Sequence, residues 1–176
     1  VLFDKNLTTY FHTTWHGGEH AWDAHHFFNL KLDNPVNSII VKWGERLVGN
    51  ANSGAPKSVV LWGAKDESAL TKGKAQKKDE AGAPIEGQYD YDAWKKDGWV
   101  PLTTGKFDFS TKMLTAEGTE NGRKVGFATL AFNEEYKYLR LEIVDRMNNS
   151  QSGFVYANEL RVYKGEYDKF NSPNAG

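Results

Sequence analysis

Residues 12–26 hold all five histidines of the chain and two of its six tryptophans, interleaved with two carboxylates: His12-Thr13-Thr14-Trp15-His16-Gly17-Gly18-Glu19-His20-Ala21-Trp22-Asp23-Ala24-His25-His26. Two chemistries suit such a stretch. An indole presents a flat apolar surface to the C–H face of a pyranose ring, while polar groups at its edge bond the hydroxyls. Trp15 and Trp22 are candidate platforms. His16, Glu19, His20 and Asp23 are candidate hydroxyl partners, because a neutral imidazole both donates and accepts and a carboxylate accepts from two hydroxyls. The second chemistry is a transition-metal site from His12, His16, His20 and His25, since imidazole suits zinc, copper or nickel. The i, i+4 spacing would align them on a helix, but Gly17-Gly18 makes a helix poor there. Glu19 also stands two residues too late for the His-Glu-x-x-His arrangement of a metalloprotease. The residue types favour the first chemistry.

Two more polar stretches can supply ligand contacts. Gly44 to Pro56 is rich in glycine and asparagine and too long for a tight hairpin, so Arg46, Asn50 and Asn52 are candidates from it. Asn148, Asn149 and Phe154 are candidates from the segment that starts at Arg146.

These residues need a scaffold, and the sequence supplies strands. Phe28, Leu30 and Leu32 alternate with Asn29 and Lys31, the period of a strand with one buried face, and Asn34-Pro35 is expected to end it. Ser38 to Trp43 and Ser58 to Trp62 are β-branched and aromatic runs bounded by turn residues; the second reads as buried on both faces, and Trp43 and Trp62 as core. Gly98 to Leu102, Lys106 to Phe109 and Gly126 to Phe132 resume the pattern, and Leu139, Leu141 and Ile143 alternate inward. Leu160 and Val162 share one face of the last strand. Residues 66–96 read instead as a charged surface insertion with one short helix, begun by Glu67-Ser68-Ala69-Leu70. Many short strands without a helical period argue for an antiparallel sandwich or barrel.

Composition narrows the function. Lys+Arg 22 against Asp+Glu 23, a net charge of -1, supplies no long-range field for nucleic acid. No cysteine is present, so disulfides and thiolate metal sites are excluded. No apolar run approaches the ~20 residues of a membrane helix. Neither a Gly-x-Ser-x-Gly elbow nor a phosphate-cradling glycine loop occurs, and no enzyme is expected. Val1-Leu2-Phe3-Asp4 lacks the pattern of a signal peptide, and the chain is expected to be excised from a longer one.

A resemblance sharpens this. Asp4-Lys5-Asn6-Leu7-Thr8-Thr9-Tyr10-Phe11-His12-Thr13 resembles the first signature of the discoidin, or coagulation factor 5/8 type C, domain family, with Lys5 in place of the usual glycine. His26 to Leu32, Tyr138 to Glu142 and Ala157 to Tyr163 resemble further strands of that family, nearest in character to the family 32-type carbohydrate-binding modules. The resemblance implies an all-β jelly-roll sandwich of about eight main strands with ligands received by loops at one end. It implies one domain over 1–165 and a tail over 166–176.

It further implies a structural calcium ion that clamps the chain ends. Asp4, Asn6, Thr9 and Glu159 would supply side-chain oxygens, and Phe3 and Ala157 backbone carbonyls, in keeping with the six to eight oxygen ligands such an ion takes. It implies a secreted or cell-surface, non-catalytic, carbohydrate-binding role, tethered to a glycan-degrading enzyme or a surface protein. His12 and His26 fall at positions flanking strands and are expected to be structural. The alternative within the family is a module binding phospholipid or protein through Trp22, Leu47 or Phe154 beside a basic rim of Arg46 and Arg146.

Overall fold

The structure, a computed structural model, describes residues 11–12, 26–46, 54–109, 124–147, 155–157 and 160–164. The strands are β1 (Phe11–His12), β2 (His26–Gly44), β3 (Pro56–Ala64), β4 (Gln76–Lys78), β5 (Pro84–Tyr89), β6 (Val100–Lys106), β7 (Val125–Arg146), β8 (Tyr156–Ala157) and β9 (Leu160–Tyr163). One helix, α1, spans Tyr91–Lys96, and a 3-10 turn spans Glu67–Thr71.

All pairing is antiparallel, and the main sheet runs β6-β3-β7-β2-β9. Its central pair, β2 and β7, is a long ribbon folded over on itself. Phe28 and Trp43 lie on the same strand, yet their ring centroids are 5.5 Å apart; a straight strand at ~3.3 Å per residue would separate them by roughly 50 Å. The fold-over falls where the β2–β7 register shifts, between Lys31 and Val36 and again between Val36 and Ser38. Asn34-Pro35 therefore marks a bend rather than the expected end. Proline gives up one ladder bond, but the partner strand carries the pairing through.

The bend makes two layers. In the first, β6 and β3 extend the pair formed by 138–146 of β7 and 26–31 of β2. In the second, β9 joins 38–44 of β2, which pairs with 125–131 of β7. The two expected strands at 126–132 and 138–144 are thus halves of one, β7. Leu30, Val59, Leu61, Leu139, Leu141 and Ile143 of the first layer meet Ile39, Val41, Trp43, Ala128, Leu130 and Leu160 of the second in one core. Gly105 shows how close the layers come: a Cβ there would stand 2.7 Å from the Leu130 side chain. Phe107 and Phe109, expected in a strand, follow the end of β6 and fill the core beside Trp43.

The charged surface insertion expected near 66–96 is present, with its one short helix at α1 and only a 3-10 turn where Glu67 was expected to begin a helix. It packs on the outer face of the first layer, where Trp62, Ala69, Trp94 and Trp99 form a second core. Asp90 caps α1 by accepting from the Ala93 N–H at 3.0 Å, which replaces a backbone bond the helix start lacks. Trp94 on the helix then reaches the sheet. Arg140 lies fully buried under three rings, its Cζ 4.1 Å from Phe27, 4.2 Å from Trp94 and 4.2 Å from Trp99. Its guanidinium donates to Asn29 Oδ1 at 2.9 Å, to the Lys72 carbonyl at 2.9 Å and to the Gly73 carbonyl. Two strand positions away, Glu142 accepts from Trp62 Nε1 at 2.9 Å and from the Tyr91 hydroxyl. Burial and then that carboxylate push the Tyr91 phenol well above its ordinary value.

Candidate functional site

The register of the folded ribbon decides where the candidate residues emerge. At the bend, β2 and β7 pass continuously from layer to layer. At the opposite end both halves stop: His26 pairs with Ile143 in the first layer, and Gly44 pairs with Val125 in the second. Pro56 starts β3 opposite Arg146, Lys106 ends β6 opposite Ser58, and Leu160 starts β9 opposite Trp43. Residues 13–25, 47–53, 110–123 and 148–154 lie outside the described residues, but the residues that flank them all stand at this one open end.

The flanks are tied to each other. Met147 N–H donates to the Ala55 carbonyl at 2.9 Å and Tyr156 N–H to the Gly54 carbonyl at 3.0 Å, joining the roots of 47–53 and 148–154. His12 pairs with Tyr156, which brings the root of 13–25 beside them. Arg46 is half-buried, its Cζ 5.4 Å from the Tyr156 ring centroid, close enough for a cation–π contact.

Of the expected ligand contacts, only Arg46 is among the described residues, and it stands at the open end. Trp15, His16, Glu19, His20, Trp22, Asp23, Asn50, Asn52, Asn148, Asn149 and Phe154 lie outside them, as do Leu47 and His25 of the alternative readings, while His12 is described in β1. Of the expected calcium ligands, Ala157 is described: it is buried in β8 and pairs with Phe11 of β1. Phe3, Asp4, Asn6, Thr9 and Glu159 lie outside. Among the described residues no three His, Cys, Asp or Glu side chains are grouped to hold a metal, and no helix is long and apolar enough to cross a membrane.

Two expectations about tryptophan hold: Trp43 and Trp62 are buried core residues. The basic rim does not hold in full. Arg146 is only 4% exposed, because its position opposite Pro56 turns it into the protein, so it offers no exposed charge. Another buried cation is Lys42, between Phe127 and Arg161 in the ladder; burial, and then the Arg161 charge, pull its amine down to about 8. Sequence reasoning missed Glu45. It is buried at the open end, and its Oε1 accepts from the Lys124 N–H at 2.7 Å. The only available sign was its place one residue beyond the β-branched run ending at Trp43-Gly44.

The fold defined here is an antiparallel jelly-roll β-sandwich whose connecting segments root at one open end. No family model matches the chain, and no curated protein does. Among solved structures it is similar to CBM32-3 from a family 31 glycoside hydrolase from Clostridium perfringens, at 14% identity and a TM-score of 0.50 over 92% of this chain and 79% of that one. A SusE-like protein aligns at 17% identity and a TM-score of 0.43, over 78% of this chain and 46% of its own length. At these identities the likeness is one of fold.

Proposed function

We propose that the chain is a non-catalytic carbohydrate-binding module that receives an exposed sugar at the open end, on Trp15 or Trp22. The observation that carries this reading is the convergence of strand ends: the roots of the segments bearing the tryptophans, histidines and asparagines meet at one rim, held by Met147, Tyr156 and Gly54. A rigid rim lets residues far apart in sequence contact one small ligand. The solved structure of like fold, named as a carbohydrate-binding module, supports the same assignment. Tethering to an enzyme or surface protein, and a secreted or cell-surface location, belong to this proposal. The phospholipid or protein alternative is weakened by the burial of Arg146.

A structural calcium ion is part of the reading. The β1–β8 pairing of Phe11 with Ala157 supports it, since the resemblance needs the first turn and the last strand side by side. Asp4, Asn6, Thr9 and Glu159, with the carbonyls of Phe3 and Ala157, would hold it, and a hard cation would find there the oxygens it takes.

A glycan array tests the function, with anionic liposomes alongside. Binding by the wild type that is lost in Trp15→Ala or Trp22→Ala, while the variant melts normally, is the expected result. Retention of binding by both variants, or saturation by anionic liposomes alone, would overturn the assignment.

A further inference from the structure

Glu45 stands where the β2–β7 ladder ends. Its backbone N–H donates to the Lys124 carbonyl at 2.9 Å, one step beyond the Gly44–Val125 pair. In a regular antiparallel ladder the two residues of such a pair exchange both main-chain bonds. Here the return bond goes elsewhere: Lys124 N–H donates to the carboxylate Oε1 of Glu45 at 2.7 Å. The side chain takes the place of its own backbone carbonyl. That substitution frees the main chain after Glu45 to leave the sheet while Lys124 stays bonded, so it fixes where the two strands part.

The carboxylate performing this is 1% exposed, and its second oxygen, Oε2, has no hydrogen-bond partner among the described residues. Two residues earlier on the same face, the buried Trp43 Nε1 has none either. A buried carboxylate with half its acceptors unmet is unfavourable, and an apolar side chain would serve the core better. The residue is explained by what it holds. Resting on the carbohydrate reading, we infer that Glu45 is a positioning residue of the binding end, setting the separation between the chain where β2 ends and the chain entering β7 at Lys124. Its contribution to affinity is preorganisation of the rim, without contact to the sugar.

Glu45→Ala and Glu45→Gln test this, with Ile39→Ala as a control that destabilises the core away from the open end. Glycan affinity is measured well below each melting temperature, and exchange of the Lys124 amide is followed by NMR. The alanine variant should lose Lys124 protection and about tenfold in affinity, the scale of one lost ordering contribution. The glutamine variant keeps an acceptor for Lys124 and should restore both; Ile39→Ala should melt lower yet bind normally. Glu45→Ala binding as tightly as wild type would overturn the inference alone. A wild type that binds no glycan would sink the carbohydrate reading, and this role with it, while the loss of Lys124 protection in the alanine variant would still be seen.

Discussion

Replacing Arg140 with methionine removes the cation on which the insertion rests while roughly preserving volume. Asn29 Oδ1 and the carbonyls of Lys72 and Gly73 then lose their donors; each unmet buried acceptor costs about 1–3 kcal/mol. Three ring contacts at 4.1 Å, 4.2 Å and 4.2 Å also go, partly offset by the affinity of a thioether for aromatic edges. Relief of the guanidinium's desolvation returns several kcal/mol, which leaves a net loss of about 3–5 kcal/mol. For a domain of this length that lowers the melting temperature by roughly 10 °C. Urea unfolding is the assay, followed by circular dichroism and by tryptophan emission, since Trp94 and Trp99 lie against the guanidinium. Cleavage by protease within 65–99 should accelerate in parallel. A variant within ~1 kcal/mol of wild type, the range of an ordinary surface change, would refute the claim that this cage holds the insertion.

Three further outcomes are expected. Gly73 has φ 67°, and a Cβ there would stand 2.6 Å from Trp99 Cδ1; Gly73→Ala should cost about 2 kcal/mol or more through strain and overpacking, and an unchanged denaturation midpoint would contradict this. Lys42, pulled down to about 8, sheds its proton in the folded chain before the unfolded chain does at ~10.4, so stability rises with pH across that window by up to about 3 kcal/mol. Denaturation midpoints from pH 7 to 11 should show the rise in wild type and lose it in Lys42→Met; a wild-type curve that falls through this window would be evidence against the burial argument. If calcium clamps the chain ends, a chelator should lower the melting temperature and added calcium should restore it; a melt indifferent to both would remove the ion from the proposal.

The alternation of Leu139, Leu141 and Ile143 was readable because a half-buried strand has a period of two, and the structure buries all three. The same period turns Arg140 and Glu142 away from that core, yet both are buried. Their burial depends on Trp94 and Trp99, far along the chain, and no local pattern records that docking. Pro35 misled for a related reason. A missing N–H is a sound stop signal for an isolated strand, but β7 pairs on both sides of the bend and carries the ribbon past it. At the candidate site, the sequence indicated which segments have the right chemistry; only the pairing register shows that their roots share an end.

The bend also bears on why the proposed binding site falls at the opposite end of the ribbon. At the bend β2 and β7 cross between layers without a break, and the crossing is closed by Val36 and by Tyr136, which is buried under the Lys65 ammonium at 4.0 Å. Lys65 in turn donates to the Glu135 carbonyl at 2.8 Å and pairs with Glu134. The outer face of the first layer is covered by the insertion. At the other end the ladders stop at His26, Gly44, Val125 and Arg146, and Met147 N–H turns to the Ala55 carbonyl and Tyr156 N–H to the Gly54 carbonyl. The described residues that bracket the candidate segments are thus tied to one another by main-chain bonds, the fixed rim that the proposed binding role requires.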